Sequence, residues 1–145
     1  MHGIYLIALF IGIVCTTGCS TPQPSPEKVV RTYFDTMFQY TRDPDPWYQK
    51  RAFSLLDQST RDTLEGRALQ YNQDRAEGAP TLEAMHMLVP NHVRFGTTIQ
   101  SMERLEESAE RIVFSLTFER GKDTLVLVKE TEGWKIALPL PDTDS

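Results

Sequence analysis

The sequence predicts an α+β domain in which helices come first and an antiparallel sheet of about four strands follows. Three observations carry this reading. Between residues 25 and 88, apolar side chains recur every three or four positions, which is the helical period. From about residue 93 they recur every second position, as in half-buried strands. The two patterns do not interleave, which sets the chain apart from an alternating βαβ order. A length of 145 residues suits about one domain. Hydrophobic residues make up 40% and charged residues 24%, the balance of a globular protein rather than a disordered one.

The first helix is announced by Ser25-Pro26-Glu27: a capping hydroxyl, a proline at the first position and an acid in the first turn. Val30, Tyr33, Phe34, Met37 and Phe38 then give one apolar face through about Tyr40. After a break at residues 41–46, Asp45-Pro46 opens a second helix, with Trp47, Ala52, Leu55 and Leu56 as candidates for burial. After Asp57-Gln58-Ser59 a third helix runs to about Ala76, with Leu64, Ala68 and Tyr71 on one side. Gly78-Ala79-Pro80 ends it, and residues 81–88 read as a short fourth helix before Pro90.

The strand pattern begins with Val93, Phe95, Thr97 and Ile99. Residues 103–110 fit either a helix turn or the flank of a hairpin loop. Ile112, Phe114, Leu116 and Phe118 alternate strictly. A turn at Arg120-Gly121-Lys122 leads to a strand over residues 124–129. Glu132-Gly133 forms a second turn, where glycine is free to take positive φ. Trp134, Ile136 and Leu138 share a face of the last strand. Pro139 and Pro141 close the domain, and residues 140–145 read as an acidic tail.

The N-terminus has a different character. Residues 1–26 carry no Lys, Arg, Asp or Glu, and residues 4–14 are an apolar run broken only by Gly12. As a helix that run spans roughly 16 Å, about half the hydrocarbon thickness of a bilayer. It therefore suits the core of a signal peptide. Thr16-Thr17-Gly18-Cys19 follows it and resembles the lipobox of bacterial lipoproteins. Thr16 stands where lipoboxes usually carry Leu, and no Lys or Arg lies near the start.

The resemblance implies cleavage before Cys19, lipidation (a diacylglyceryl thioether with further acyl groups such as palmitate) on that cysteine, and residence in the cell envelope. Ser20 in second place implies the outer membrane facing the periplasm rather than the inner membrane. The only cysteines are Cys15 and Cys19, so the mature domain has no disulfide. The chain divides into a signal peptide (1–18), a lipidated cysteine with a proline-rich tether (19–26), one domain (27–139) and the tail (140–145). Extended at about 3 Å per residue, the tether holds the domain some 15 to 20 Å off the membrane.

Within the domain, Ser25-Pro26-Glu27-Lys28-Val29-Val30-Arg31-Thr32-Tyr33-Phe34, Ala52-Phe53-Ser54-Leu55-Leu56-Asp57 with Ser59-Thr60-Arg61, and Leu127-Val128-Lys129-Glu130 through Gly133-Trp134-Lys135-Ile136 resemble small secreted domains of the nuclear-transport-factor-2-like or cystatin-like class. That resemblance implies helices packed on a curved sheet, often around an apolar cavity. Some members of the class are isomerases or dehydratases, and many are binding or accessory domains.

The residues themselves point to no cofactor and to no catalytic or metal site. Glu83 and His86 form half of a helical carboxylate–histidine metal motif whose other half is missing. His92 has no partner at ligand spacing. Asp43 and Asp45 lack the further acid and glycine of a calcium loop and read as turn and cap residues. Asp35 falls off the apolar face of the first helix, where an acid–base role would need burial. Tyr33, Tyr71 and Trp134 read as core rather than as the lining of a cavity. A net charge of -5, with no basic run longer than Lys50-Arg51, opposes nucleic-acid binding.

The expected function is thus a lipid-anchored, non-enzymatic binding or accessory domain. The alternatives are an enzyme using an apolar cavity and a structural envelope component acting by protein contact. On the strand at 124–129, Leu125 and Leu127 face one way and Val126 and Val128 the other, so both faces of the sheet should be covered. Helices should cover the first face, over Phe114, Leu116 and Trp134, with Trp134→Ala costing roughly 3 to 5 kcal/mol. The second face, with Val113, Val126, Val128 and Ala137, is expected to meet a second copy or another envelope protein.

Overall fold

The structure, a computed structural model, describes residues 22–73 and 98–140. Three helices, α1 (Pro26–Arg42), α2 (Pro46–Ser54) and α3 (Gln58–Gln73), precede four strands. These are β1 (Ile99–Glu107), β2 (Arg111–Phe118), β3 (Gly121–Glu130) and β4 (Gly133–Ala137). The strands form an antiparallel meander in the order β1-β2-β3-β4. Helices before an antiparallel sheet is the α+β order that the two periodicities predict.

Each helix begins as its local chemistry dictates. The Ser25 hydroxyl accepts from the Lys28 N–H, Pro26 takes the first position of α1, and Glu27 faces the positive end of the helix dipole. Asp45 caps α2 by accepting from the Trp47 N–H at 2.7 Å. Asp57, itself buried, accepts from the Thr60 N–H at 3.1 Å at the start of α3. Asp57→Ala is expected to cost about 0.5–2 kcal/mol in chemical denaturation, with most of the loss recovered by Asp57→Asn. Equal losses for the two variants would show that the cap is not what Asp57 contributes.

The core lies between the helices and one face of the sheet. Val29, Val30, Tyr33, Phe34 and Met37 of α1 are buried against Ile112, Phe114, Leu116 and Phe118 of β2, Leu125 and Leu127 of β3, and Ile136 of β4. Phe34 bridges the layers, its ring 5.4 Å from Tyr33 edge-on and 5.2 Å from Phe118. Ala52, Phe53 and Leu56 complete the core from the second helix region, and Leu64 and Ala68 from α3. Burial of the Tyr33 phenol pushes its pKa far up, so the ring stays neutral.

Residues 55–57 link α2 to α3 and also lie along β4. Ile136 N–H donates to the Leu55 carbonyl at 2.9 Å and Asp57 N–H to the Ile136 carbonyl at 2.9 Å, forming a one-residue parallel bridge. That segment covers the β4 edge of the sheet. The Leu138 N–H, just past β4, donates to the Thr60 hydroxyl, fixing α3 to the same edge.

Several details depart from the sequence reading. Phe38 lies at the margin of the α1 stripe and stays 38% exposed, with the Arg42 guanidinium over its ring. Trp47 is 54% exposed instead of buried, stacked beneath Arg51 at 5.1 Å. A large flat ring at the first turn of a short helix finds a cation there rather than a core. The buried residue in its place is Phe53.

Of the two readings of residues 103–110, the flank of a hairpin loop holds: β1 runs to Glu107 and the turn to β2 follows. Only Ile99 and Met102 of β1 pack on the core, because β1 is an edge whose remaining side chains face water. Two register shifts, between Ile99 and Ser101 and between Arg104 and Glu106, broke the alternation that reveals a strand. The β2–β3 turn is confined to Glu119 and Arg120, and Gly121 already pairs with Phe118. Trp134 lies on the helix side, but at its margin and half-buried, with Lys129 over its ring at 5.0 Å. The cost of Trp134→Ala is accordingly revised below the 3 to 5 kcal/mol of a fully buried ring. The expected fourth helix, the strand residues Val93, Phe95 and Thr97, and the acidic tail beyond Leu140 lie outside the described residues.

Candidate functional site

Cys19 lies outside the described residues, and the chain is described from Pro22 onward. From Pro22 to Ser25 it approaches the N-terminus of α1 along one end of the sheet, the end that carries the β1–β2 and β3–β4 turns. Gln23 Nε2 donates to the Thr131 carbonyl at 3.4 Å, and Lys129 Nζ donates to Gln23 Oε1 at 3.2 Å. Gly133 takes φ +123° to turn β3 into β4, and a Cβ there would meet the Gln23 side chain at 3.6 Å. A segment expected to be wholly a free spacer is therefore in contact with the domain at Gln23.

Four residues later, at Glu27, the chain is tied to the opposite edge of the sheet. Arg104 Nε of β1 donates to Glu27 Oε1 at 2.7 Å, and Arg104 also pairs with Glu107. The Arg104 guanidinium lies 5.8 Å from the Phe114 ring centroid, at the boundary between core and water. Partial burial works to raise the Glu27 carboxyl, but its own backbone N–H and Arg104 outweigh that and hold it below the usual carboxylate range. Both partners stay charged at neutral pH.

The expected partner face has its own geometry. Val113 pairs with Val126, and Val126 with Ala137, so three small apolar side chains form a row across β2, β3 and β4. None of Val113, Val126, Val128 or Ala137 belongs to the helix-side core, which places them on the opposite face. Val126, Val128 and Ala137 are half-buried, but Val113 is only 6% exposed. Glu106 is its neighbour on β1 and pairs with Arg111 at 2.9 Å, so long side chains flank Val113 within the sheet. The accessible part of the patch is consequently narrower than the four residues suggest.

The remaining candidates separate cleanly. Asp43 ends α1, its N–H bonded to the Gln39 carbonyl, and Asp45 caps α2, the turn and cap roles read from sequence. Asp35 is exposed, in an open groove of about 350 Å³ with Thr32, Thr36, Gln39, Trp47, Tyr48 and Arg51. Tyr33 is core, Trp134 is at its margin, and the Tyr71 side chain lies outside the description. Glu83, His86 and His92 also lie outside the described residues. Among the described residues no three His, Cys, Asp or Glu side chains come together as metal ligands, and no helix is long and apolar enough to cross a membrane.

What sequence reasoning missed is Gln23 and Arg104, which together fix where the chain leaves the domain. A polar residue between prolines and an arginine in an acidic strand carry no periodic signal. Compared with protein-family models, with curated proteins and with solved structures, the chain gives no match, so its likeness to any known family rests on its own residues alone.

Proposed function

We propose that this protein is a bacterial lipoprotein, anchored in the outer membrane by lipid on Cys19, whose single domain serves as a non-enzymatic binding or accessory module facing the periplasm. The observation that carries the reading is Thr16-Thr17-Gly18-Cys19 at the end of an uncharged apolar run. The thiol is needed because the diacylglyceryl group is held as a thioether, and the small neighbours let a peptidase approach the backbone.

Three of the buried polar side chains among the described residues complete the hydrogen bonding of the fold. Thr36 donates to the Thr32 carbonyl, Asp57 caps α3, and Thr60 receives the Leu138 N–H. Each of these completes backbone hydrogen bonding and is spent on the fold. Growth of the cells with a clickable fatty-acid analogue tests the anchor: the protein should take up the label. An unlabelled protein in cells whose other lipoproteins are labelled would overturn the reading.

A second reading, contact with a second copy or another envelope protein, is favoured by the apolar row on the outer face of the sheet. Val126→Asp is expected to abolish association in sedimentation at high concentration while leaving the circular dichroism spectrum unchanged. A wild-type domain that stays monomeric, together with an unfolded Asp variant, would assign that face to the fold itself.

A further inference from the structure

We infer that the anchor holds the domain in one orientation, with the β1–β2 and β3–β4 turns against the lipid headgroups and the β2–β3 turn pointing away. The inference rests on the lipid reading of Cys19 and adds to it the surface that meets the membrane.

Two independent contacts place the exit of the chain. Gln23 lies on the β3–β4 turn, bonded to Thr131 and Lys129 and covering Gly133. Glu27, in the first turn of α1, is bonded to Arg104 of β1. Since Val29, Val30 and Tyr33 are buried, the start of α1 cannot leave this end of the sheet without opening the core.

Cys19 precedes Gln23 by four residues, which span at most about 14 Å when fully extended. The lipidated sulfur is thus confined near one pole. The ten residues of β3, rising about 3.3 Å each, place the β2–β3 turn roughly 30 Å farther from it. The reach of the tether is about half the length of the sheet, so tumbling about the anchor brings other faces to the membrane only with difficulty.

The pole also has the chemistry of a surface that rests on headgroups rather than entering the bilayer. Its depression is lined by Gln58, Arg61, Lys129, Glu130, Thr131 and Glu132, with no large apolar side chain among them. It holds two cations, Arg61 and Lys129, and two carboxylates, and each carboxylate has a cation nearby: Glu130 lies 3.9 Å from Arg61 and Glu132 3.4 Å from Lys135 just outside it. A zwitterionic headgroup layer meets such a surface with little net attraction or repulsion, which leaves the tether to set the orientation.

The experiment uses the full-length lipidated protein in vesicles of phosphatidylethanolamine and phosphatidylcholine doped with a nickel-chelating lipid. Nitroxides are placed singly at Glu132→Cys and Arg120→Cys, both exposed turn positions, and repeated at Glu110→Cys and Glu119→Cys. The thioether on Cys19 leaves no other thiol to react. Labels at 132 and 110 should relax several-fold faster than those at 120 and 119. Equal or reversed rates with acylated Cys19 confirmed by mass would overturn the orientation and leave the anchor standing. A Cys19 without acyl groups would overturn both.

Discussion

Phe114→Ala is expected to remove about 3–5 kcal/mol of folding stability, the largest loss of any single truncation in the sheet. The ring is 1% exposed, on the central strand pair, facing Leu125 across β3 and Arg104 across β1. Truncation leaves a cavity that β2 cannot collapse, because its backbone is held by strands on both sides. It also removes the ring beneath the Arg104 guanidinium, loosening the contact that ties β1 to Glu27 of α1. A domain of this size has about 5–15 kcal/mol in total, so the variant should stand near its unfolding threshold. Urea titration measures this as a lowered midpoint with an unchanged slope. Trp134→Ala, half-exposed under Lys129, should lose clearly less in the same assay. If the two variants lose equally, the division of the sheet into a buried centre and a wet margin is wrong.

That division explains which parts of the fold were legible. Ile112, Phe114, Leu116 and Phe118 announced β2 because a strand packed on one face must alternate. Ser25 and Asp45 announced two helix starts because a cap is a local matter between one side chain and the next few N–H groups. β1 was obscured because an edge strand need bury little: Leu105 is 54% exposed and four of its neighbours are Glu or Arg. Trp47 misled for the opposite reason, since periodicity registers a large aromatic without recording whether anything packs on it. The docking of Gln23 was illegible because it joins residues more than a hundred positions apart through side-chain and carbonyl groups. On the candidate site, the lipid on Cys19 is a proposal from sequence alone, and the described residues add the docking of Gln23 on the β3–β4 turn.

Cys19→Ala should have the largest functional effect of any substitution. Each buried methylene of an acyl chain contributes about 0.8 kcal/mol to membrane binding, and stable anchoring takes more than one chain. The net charge is -5, and no described helix is long and apolar enough to span a bilayer. Without the thiol, no thioether forms and the lipoprotein peptidase has no substrate. The variant should accumulate as an uncleaved precursor, larger by the signal peptide, while the folded domain is unaffected. Immunoblots of fractionated cells would show the size shift and the loss of acyl label. Normal processing and membrane retention in the Ala variant would show that another feature holds the protein.

The most direct measurement is the mass of the N-terminal peptide of the protein purified from membranes. The account predicts a peptide that begins at Cys19 and carries the added mass of a diacylglyceryl group, with a further acyl chain on its amine. A peptide beginning elsewhere, or an unmodified Cys19, would contradict it.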